Sequence, residues 1–289
     1  MELEDVSFRY PEGTVALEGI CMKASEGSFT ALLASNGSGK TTLIKVMAGL
    51  LKPASGKVSL FGKPLGSLAA RDLYGTVGVV FQNPDDQLFA PTVAEDVAFG
   101  PRNLGLGESV VSEWVNGALA SVGMLHTAGR SIHHLSFGEK KKVALAGALA
   151  MRPRLLLMDE PSASLDPAGE VEMMRLIGNL NRVDGVTVVM ATHSIDLLPL
   201  FADEIYILKK GQALRSGSTG EILSDHELLH GAGLRLPYVS SLLHQMKTYD
   251  GLPLDGLPLT IGEARKRFLE LIPDEVFTGR KSDGDQRPA

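Results

Sequence analysis

Phe29-Thr30-Ala31-Leu32-Leu33-Ala34-Ser35-Asn36-Gly37-Ser38-Gly39-Lys40-Thr41-Thr42 is the stretch that decides the fold. Its first six residues are nearly all apolar, as in a strand covered on both faces. A Gly/Ser turn follows, then a helical stretch from about Gly39 to Leu50. Together they predict a phosphate cradle, in which backbone N–H groups and a helix N-terminus converge on phosphate oxygens. Gly37 and Gly39 let the backbone turn and approach closely. Asn36, Gly37, Ser38, Gly39, Lys40, Thr41 and Thr42 form the predicted ATP cradle. Lys40 reaches the β- and γ-phosphates, and the Thr41 hydroxyl ligates Mg²⁺. A dinucleotide loop is excluded, because Thr42 stands where its third glycine belongs. Ala34 replaces the first glycine of the phosphate-loop pattern. Its methyl group fits if φ stays negative, and a modest effect on nucleotide affinity is expected. The alternative is a Gly/Ser loop that merely turns the chain.

A second segment, Leu155-Leu156-Leu157-Met158-Asp159-Glu160, places two acids at the end of an apolar run. At the tip of a parallel strand beside the phosphate-loop strand, Asp159 holds Mg²⁺ through water. Glu160 is then placed to orient an attacking water and accept its proton. An acidic pair facing solvent at a strand end is the alternative.

The 289 residues allow about two domains at roughly 150 residues each. Hydrophobic residues make up 44% and charged residues 21%, too apolar for a disordered chain. Lys and Arg number 28 against 34 Asp and Glu, and the net charge of −6 argues against bulk attraction to nucleic acid or an anionic membrane. The longest apolar run, Val143 to Met151, falls well short of the about 20 residues that cross a bilayer. Met1-Glu2-Leu3-Glu4-Asp5 lacks the basic-then-apolar order of a signal peptide. The one cysteine, Cys21, leaves no intrachain disulfide and fits a reducing cytoplasm. A cytoplasmic protein that meets a membrane only through partners is expected.

Up to about residue 62, apolar runs alternate with turns, as in Val6-Ser7-Phe8-Arg9-Tyr10 before Pro11-Glu12-Gly13, and predict half-buried strands. From Pro84 to about Met151 helical periodicity dominates. Arg154 to Met158 and Gly185 to Ala191 predict buried strands separated by a helix, which opens with Asp166 as N-cap and Pro167 at the first helical position. Beyond about residue 225, Thr260 and Glu263 predict a capping box. The helix behind it carries Ile261, Ala264, Phe268, Leu271 and Ile272 on one face. Lys281 to Ala289 are polar and expected to fray.

Leu135-Ser136-Phe137-Gly138-Glu139, followed by Asp159-Glu160-Pro161-Ser162, Ser164-Leu165-Asp166 and His193, resembles the ATPase subunit of an ABC transporter. The resemblance covers about residues 1–225. Phe81-Gln82-Asn83-Pro84-Asp85-Asp86-Gln87-Leu88-Phe89, Glu139-Lys140-Lys141-Lys142-Val143-Ala144 and Leu234-Arg235-Leu236-Pro237 are similar to the energy-coupling-factor group, most closely its cobalt/nickel importer ATPases. The implied fold is α/β: a P-loop NTPase core of ABC type, an N-terminal antiparallel β region, a helical signature subdomain and a small C-terminal appendage. The implied boundaries are an ATP-binding domain at 1–225, with the helical subdomain inserted at about 84–150, and the appendage at 226–289.

The resemblance also implies roles. Tyr10 matches the aromatic that stacks on adenine, although a core tyrosine is the plainer reading. Gln82 matches the residue that contacts Mg²⁺ or water and links the ATP site to the membrane partner. Ser136, Phe137, Gly138 and Glu139 match the signature that meets the ATP of the opposite subunit. Phe137 departs from the usual glycine, so its backbone must stay in an ordinary region or carry strain. Asp166 matches a residue that communicates across the dimer, or serves only as a helix cap. His193 matches the switch histidine on the γ-phosphate, where a structural histidine is the alternative. Lys140-Lys141-Lys142 predicts a solvated helix face, or a contact for the dimer or for phosphate.

The expected cofactors are ATP and Mg²⁺. The expected partners are a second copy in a head-to-tail homodimer or a paralogous ATPase, a transmembrane coupling subunit and a substrate-capture membrane subunit, with no nucleic acid. The expected function is ATP hydrolysis that powers cobalt or nickel import from the cytoplasmic face of the membrane. A vitamin-type importer and a non-transport regulatory module are the alternatives. A chromosome or repair ATPase would carry a long coiled coil, and the insert shows no heptads.

Overall fold

Alternate residues of the apolar strands feed two different cores. In Phe29–Ala34 (β3), Phe29, Ala31 and Leu33 join one cluster, while Leu32 and Ala34 join the other. Leu155–Asp159 (β7) splits the same way, with Leu156 and Met158 on one side and Leu155 and Leu157 on the other. Thr187–Thr192 (β8) does likewise. These strands are buried on both faces, which is why they read as continuous apolar runs.

The structure is a computed structural model and describes residues 1–272. Residues 281–289, expected to fray, lie outside the described residues. Glu2–Arg9 (β1), Val15–Lys23 (β2), Ser55–Leu60 (β4) and Lys63–Pro64 (β5) form an antiparallel sheet in the order β2-β1-β4-β5. The second sheet adds Val77–Val80 (β6), Glu204–Lys209 (β9) and Gln212–Ser218 (β10) in the order β10-β9-β3-β8-β7-β6. It is parallel except at β10, which pairs antiparallel with β9.

Lys40–Met47 (α1) fills the space between the sheets, burying Leu43, Ile44, Val46 and Met47 against Leu3, Leu17 and Ile20. Ala70–Thr76 (α2) leads into β6. On the opposite face lie Val93–Asn103 (α3), Glu108–Ser121 (α4), Phe137–Leu149 (α5) and Pro167–Arg182 (α6). Their apolar sides, including Val97, Leu119, Leu145 and Ile177, close the other core. Each such fully buried aliphatic side chain contributes about 1.5–3 kcal/mol.

Leu198–Phe201 (α7), Thr219–Ser224 (α8) and His226–Gly231 (α9) follow, and Leu229, Ala232 and Leu236 still pack into that core. Tyr238–Tyr249 (α10) and Ile261–Leu271 (α11) build a third, small cluster around Leu243, Leu254 and Ala264. The expected apolar face of α11 is narrower than its sequence suggests. Ala264 and Phe268 pack, whereas Ile261 and Leu271 are exposed and Ile272 lies past the helix end. The small cluster offers only a narrow stripe for α11 to cover. The expected capping box is also half formed. Thr260 accepts from the Glu263 N–H at 3.1 Å, but the Glu263 carboxylate accepts from the Leu259 N–H at 2.8 Å.

Candidate functional site

Parallel pairing brings three strand ends to one edge. Leu33 pairs with Thr192 and Ala191 with Asp159, so the residues that follow β3, β8 and β7 emerge together. Ligands of open α/β sheets bind at this carboxyl edge. One expectation is corrected here: β7 is not beside β3, because β8 lies between them. Strand order depends on how the crossovers pack, which apolar periodicity does not encode. The Thr41 hydroxyl on the first turn of α1 nevertheless reaches across and donates to Asp159 Oδ2.

A cavity of about 710 Å³ opens at this edge. It is lined by Asn36, Gly37, Ser38, Gly39, Lys40, Thr41 and Thr42, and by Tyr10, Gln82, Asp159 and Glu160. The structure therefore gathers every residue assigned above to the cradle, the adenine contact and Mg²⁺ around one space, with His193 bonded to its rim. Gly39 caps α1 at φ +96°, and a Cβ there would meet the Ala16 carbonyl oxygen at 2.6 Å. Only glycine takes that left-handed position under so close a carbonyl. Ala34 ends β3 with an ordinary negative φ and is fully buried. Ala34→Gly is therefore expected to change ATP affinity by less than about threefold in a nucleotide titration, the scale of a Gly/Ala backbone effect. A sharp rise would show that the methyl group obstructs the cradle.

Lys40 lies under the cradle. Its Nζ donates to the carbonyls of Ala34 at 2.8 Å and Ser35 at 3.2 Å, and it stands 3.4 Å from Glu160 Oε1. Tyr10 turns its ring edge-on to Phe8, 5.0 Å between centroids, and its hydroxyl pairs with Thr42 Oγ1 at 3.0 Å. Its ring thus packs on the core and borders the cavity at once.

Asp159 and Glu160 are both buried, which removes the solvent-facing alternative. Glu160 sits at φ +51°, a left-handed conformation rare for a side chain of its size. Its N–H donates to the Ala191 carbonyl at 2.9 Å. His193 closes over the carboxylate, with Nδ1 2.9 Å from Oε1 and the backbone N–H donating to Oε2 at 3.4 Å.

Burial raises the Asp159 carboxyl above its usual range, opposed by the Thr41 hydrogen bond. Its Oδ1 is buried without a hydrogen-bond partner, alone in this among the described side-chain N and O atoms. A buried carboxylate oxygen left unpartnered is costly. Thr41 hydroxyl, Gln82 amide and Asp159 carboxylate are hard oxygen donors, and Mg²⁺ takes a few of these plus phosphate and water. The residues present fit that ion.

The signature segment lies elsewhere. None of Ser136, Phe137, Gly138 and Glu139 lines the cavity. Ser136 caps α5 in a capping box: its N–H donates to Glu139 Oε2 at 2.7 Å, and the Glu139 N–H donates to Ser136 Oγ at 3.3 Å. The bond from the Ser136 backbone holds the Glu139 carboxyl below its usual range, helped by Arg130. Phe137 begins the helix in ordinary helical backbone, so its replacement of glycine carries no φ strain. Asp166 caps α6, accepting from the Gly169 N–H at 2.7 Å.

The three-lysine run is not a solvated face. Lys140 pairs with Asp85 at 2.6 Å and Lys142 with Glu172 at 2.7 Å. Lys141 is only 2% exposed, and its Nζ donates to the carbonyls of Glu160 at 2.9 Å and Pro161 at 3.0 Å. Desolvation lowers its pKa to about 8, with Glu160 and Asp159 pulling the other way. Consecutive helix residues face directions about 100° apart, so one of three can turn inward. Lys210 and Gly211 also line the cavity without having been singled out from sequence. Lys-Gly marks the hairpin turn between β9 and β10, but not where that turn lands.

The ABC transporter family model matches residues 17–163. The energy-coupling factor transporter ATP-binding protein EcfA of Methanocaldococcus jannaschii is 44% identical over 277 residues, covering 95% of this chain and 99% of the relative. The structure of CbiO1 from Clostridium perfringens, part of the ABC transporter complex CbiONQ, superposes with a TM-score of 0.72. It is 39% identical and covers 84% of this chain and 98% of its own. A dimeric ATP-binding cassette in a post-hydrolysis state, bound to ADP and phosphate, gives a TM-score of 0.68 at 28% identity. The match spans 75% of this chain and 98% of the cassette. The chain belongs to the ABC transporter family, as the ATP-hydrolysing subunit of an energy-coupling-factor transporter.

Proposed function

We propose that this subunit powers import of a transition-metal ion, cobalt or nickel, by closing and reopening as a head-to-tail pair on the cytoplasmic face of the membrane. The observation that carries the catalytic part is the convergence of Lys40, Thr41, Asp159 and Glu160 on one cavity, with His193 held against Glu160. In this reading residues 1–225 are the ATP-binding unit, with its helical insert at about 84–150, and 226–289 the appendage.

The N–H groups of residues 36–42 and the Lys40 ammonium hold the phosphates, and Tyr10 offers its face to adenine. Mg²⁺, held by Thr41 and Asp159 with Gln82 beside them, would neutralise charge on the β- and γ-phosphates. Glu160 orients water in line with the γ-phosphorus and takes its proton, while His193 holds the carboxylate and meets the γ-phosphate. Because Lys40 lies against Glu160, an arriving γ-phosphate draws the ammonium away and frees the acid.

The signature stands outside its own subunit's cavity, which supports a twofold pair in which Ser136 and Gly138 of one copy complete the other's site. A homodimer satisfies this directly, and a paralogous ATPase serves equally. ATP prefers the closed pair, and that preference is the work available to the membrane subunits. Among the described residues no helix is long and apolar enough to cross a membrane. Phe89 and Phe99 stack edge-to-face at 4.8 Å while 66% and 50% exposed, and they offer an apolar grip beside the Gln82 segment. The metal cargo rests on the likeness of residues 81–89, 139–144 and 234–237 to the cobalt/nickel importers.

Co-expression with membrane subunits of an energy-coupling-factor transporter, followed by uptake of radiolabelled cobalt and nickel, tests the proposal. Uptake that stops when ATP is replaced by a non-hydrolysable analogue is expected. Uptake of a vitamin instead of metal would transfer the chain to the alternative class. ATP binding without turnover, with or without the membrane subunits, would make it a regulatory module.

A further inference from the structure

Lys141 is a buried cation on the signature helix that none of the steps above uses. It stands five residues into the turn sequence that Ser136 caps, and its Nζ donates to the Glu160 and Pro161 carbonyls at 2.9 and 3.0 Å. The Phe137 ring covers it, 5.5 Å from Nζ to the centroid. A side chain as large as glutamate persists in the left-handed region only where its surroundings over-determine it, at a cost of about 1–3 kcal/mol. His193 and Lys40 hold the Glu160 carboxylate, but its backbone is held by other groups: the Ala191 carbonyl accepts its N–H, the Ala163 N–H donates to its carbonyl at 3.1 Å, and Lys141 donates to the same carbonyl and the next. The Ala191 and Ala163 contacts are backbone bonds that any sequence could make. Lys141 is the side chain that ties this backbone to α5.

We propose that Lys141 is a positioning residue for hydrolysis, fixing the aim of the Glu160 carboxylate to the helix that begins at the signature serine. Burying an ammonium is expensive, and a neutral side chain of the same length would fill the space without that cost. One ammonium that donates to two successive carbonyls does what packing does not: it sets the orientation of that turn relative to α5. Because Ser136 caps α5, movement of the signature is carried to the acid of the same subunit, and in a head-to-tail pair each ATP would reach the other site's acid along this helix. This proposal rests on Glu160 as the proton acceptor.

The test is steady-state ATP hydrolysis by the full chain carrying Lys141→Met or Lys141→Gln, each made alone and on the Glu160→Gln background. Lys141→Met keeps an unbranched side chain, one heavy atom shorter, and loses the donors. Its kcat is expected to fall about tenfold with KM and ATP affinity within about twofold, the scale of a small misplacement of a catalytic group. Lys141→Gln keeps an uncharged N–H donor, one bond closer to the backbone, and should lose only about threefold. On the Glu160→Gln background neither change should slow turnover further, because the carboxylate they aim is gone. Parental kcat in Lys141→Met overturns the proposal, as does an equal fractional loss on both backgrounds, which is what a purely structural role gives. If Lys141→Met does not fold, Lys141→Gln alone decides by the same comparison. Normal turnover by Glu160→Gln itself removes Glu160 as the acceptor, a failure seen before any Lys141 variant is made, and the proposal falls with it.

Discussion

Glu160→Gln is expected to bind ATP with near-parental affinity while hydrolysing it about 10²–10³ times more slowly, and to accumulate as an ATP-bound dimer. The amide has the shape of the carboxylate but cannot take the proton of an attacking water. Its oxygen can still accept from the His193 N–H, so the local fold has little reason to change. Lys40, which stands 3.4 Å from Oε1, loses a negative neighbour and becomes freer to hold phosphate, so affinity should not fall. Turnover, equilibrium ATP binding and solution scattering on one preparation separate these effects. Near-normal hydrolysis would take Glu160 out of the catalytic role, and slow hydrolysis without a trapped dimer would leave the acid in place but undermine the paired site.

Lys40→Ala should abolish measurable ATP binding at micromolar nucleotide. Each charge-assisted hydrogen bond to phosphate contributes about 1.5–3 kcal/mol, and Lys40 makes contacts to two phosphates in the proposed complex. Loss of both, about 3–6 kcal/mol, corresponds to roughly a hundredfold to twenty-thousandfold in affinity, because every 1.4 kcal/mol is tenfold. The substitution also leaves the Ala34 and Ser35 carbonyls without their ammonium donor and Glu160 without its cation. The cradle should loosen as well as lose charge. Calorimetric titration with ATP and Mg²⁺ checks the first effect, and thermal melting of the free protein the second. Unchanged affinity would defeat the phosphate assignment.

The ATP site was legible wherever its parts are contiguous in the chain. From residue 29 to 42 a buried strand, a tight turn and a helix start follow one another, and backbone geometry alone makes such a sequence converge on an anion. Asp166 was legible as a cap for the same reason, since it and Gly169 are three residues apart. Phe137 could be read only as a conditional, and the helical backbone at the first turn of α5 resolved it. Lys141 was misjudged because a run of three lysines looks uniformly polar. Which of the three faces inward depends on the phase of α5 against β7.

The pairing of the signature with another copy is a proposal that rests on resemblance. From the residues alone came a phosphate cradle with its lysine and an acidic pair at a strand end. Those features are local, and short-range sterics and hydrogen bonding specify them within a dozen residues. Folding decided the rest: β8 between β3 and β7, the His193 grip on Glu160, the entry of Lys210 and Gly211 into the cavity wall, and the burial of Lys141 under the acid's carbonyl. Each joins residues far apart in the chain, through strand order and helix phase that are set by packing two cores against one sheet, and residue periodicity carries no record of that choice.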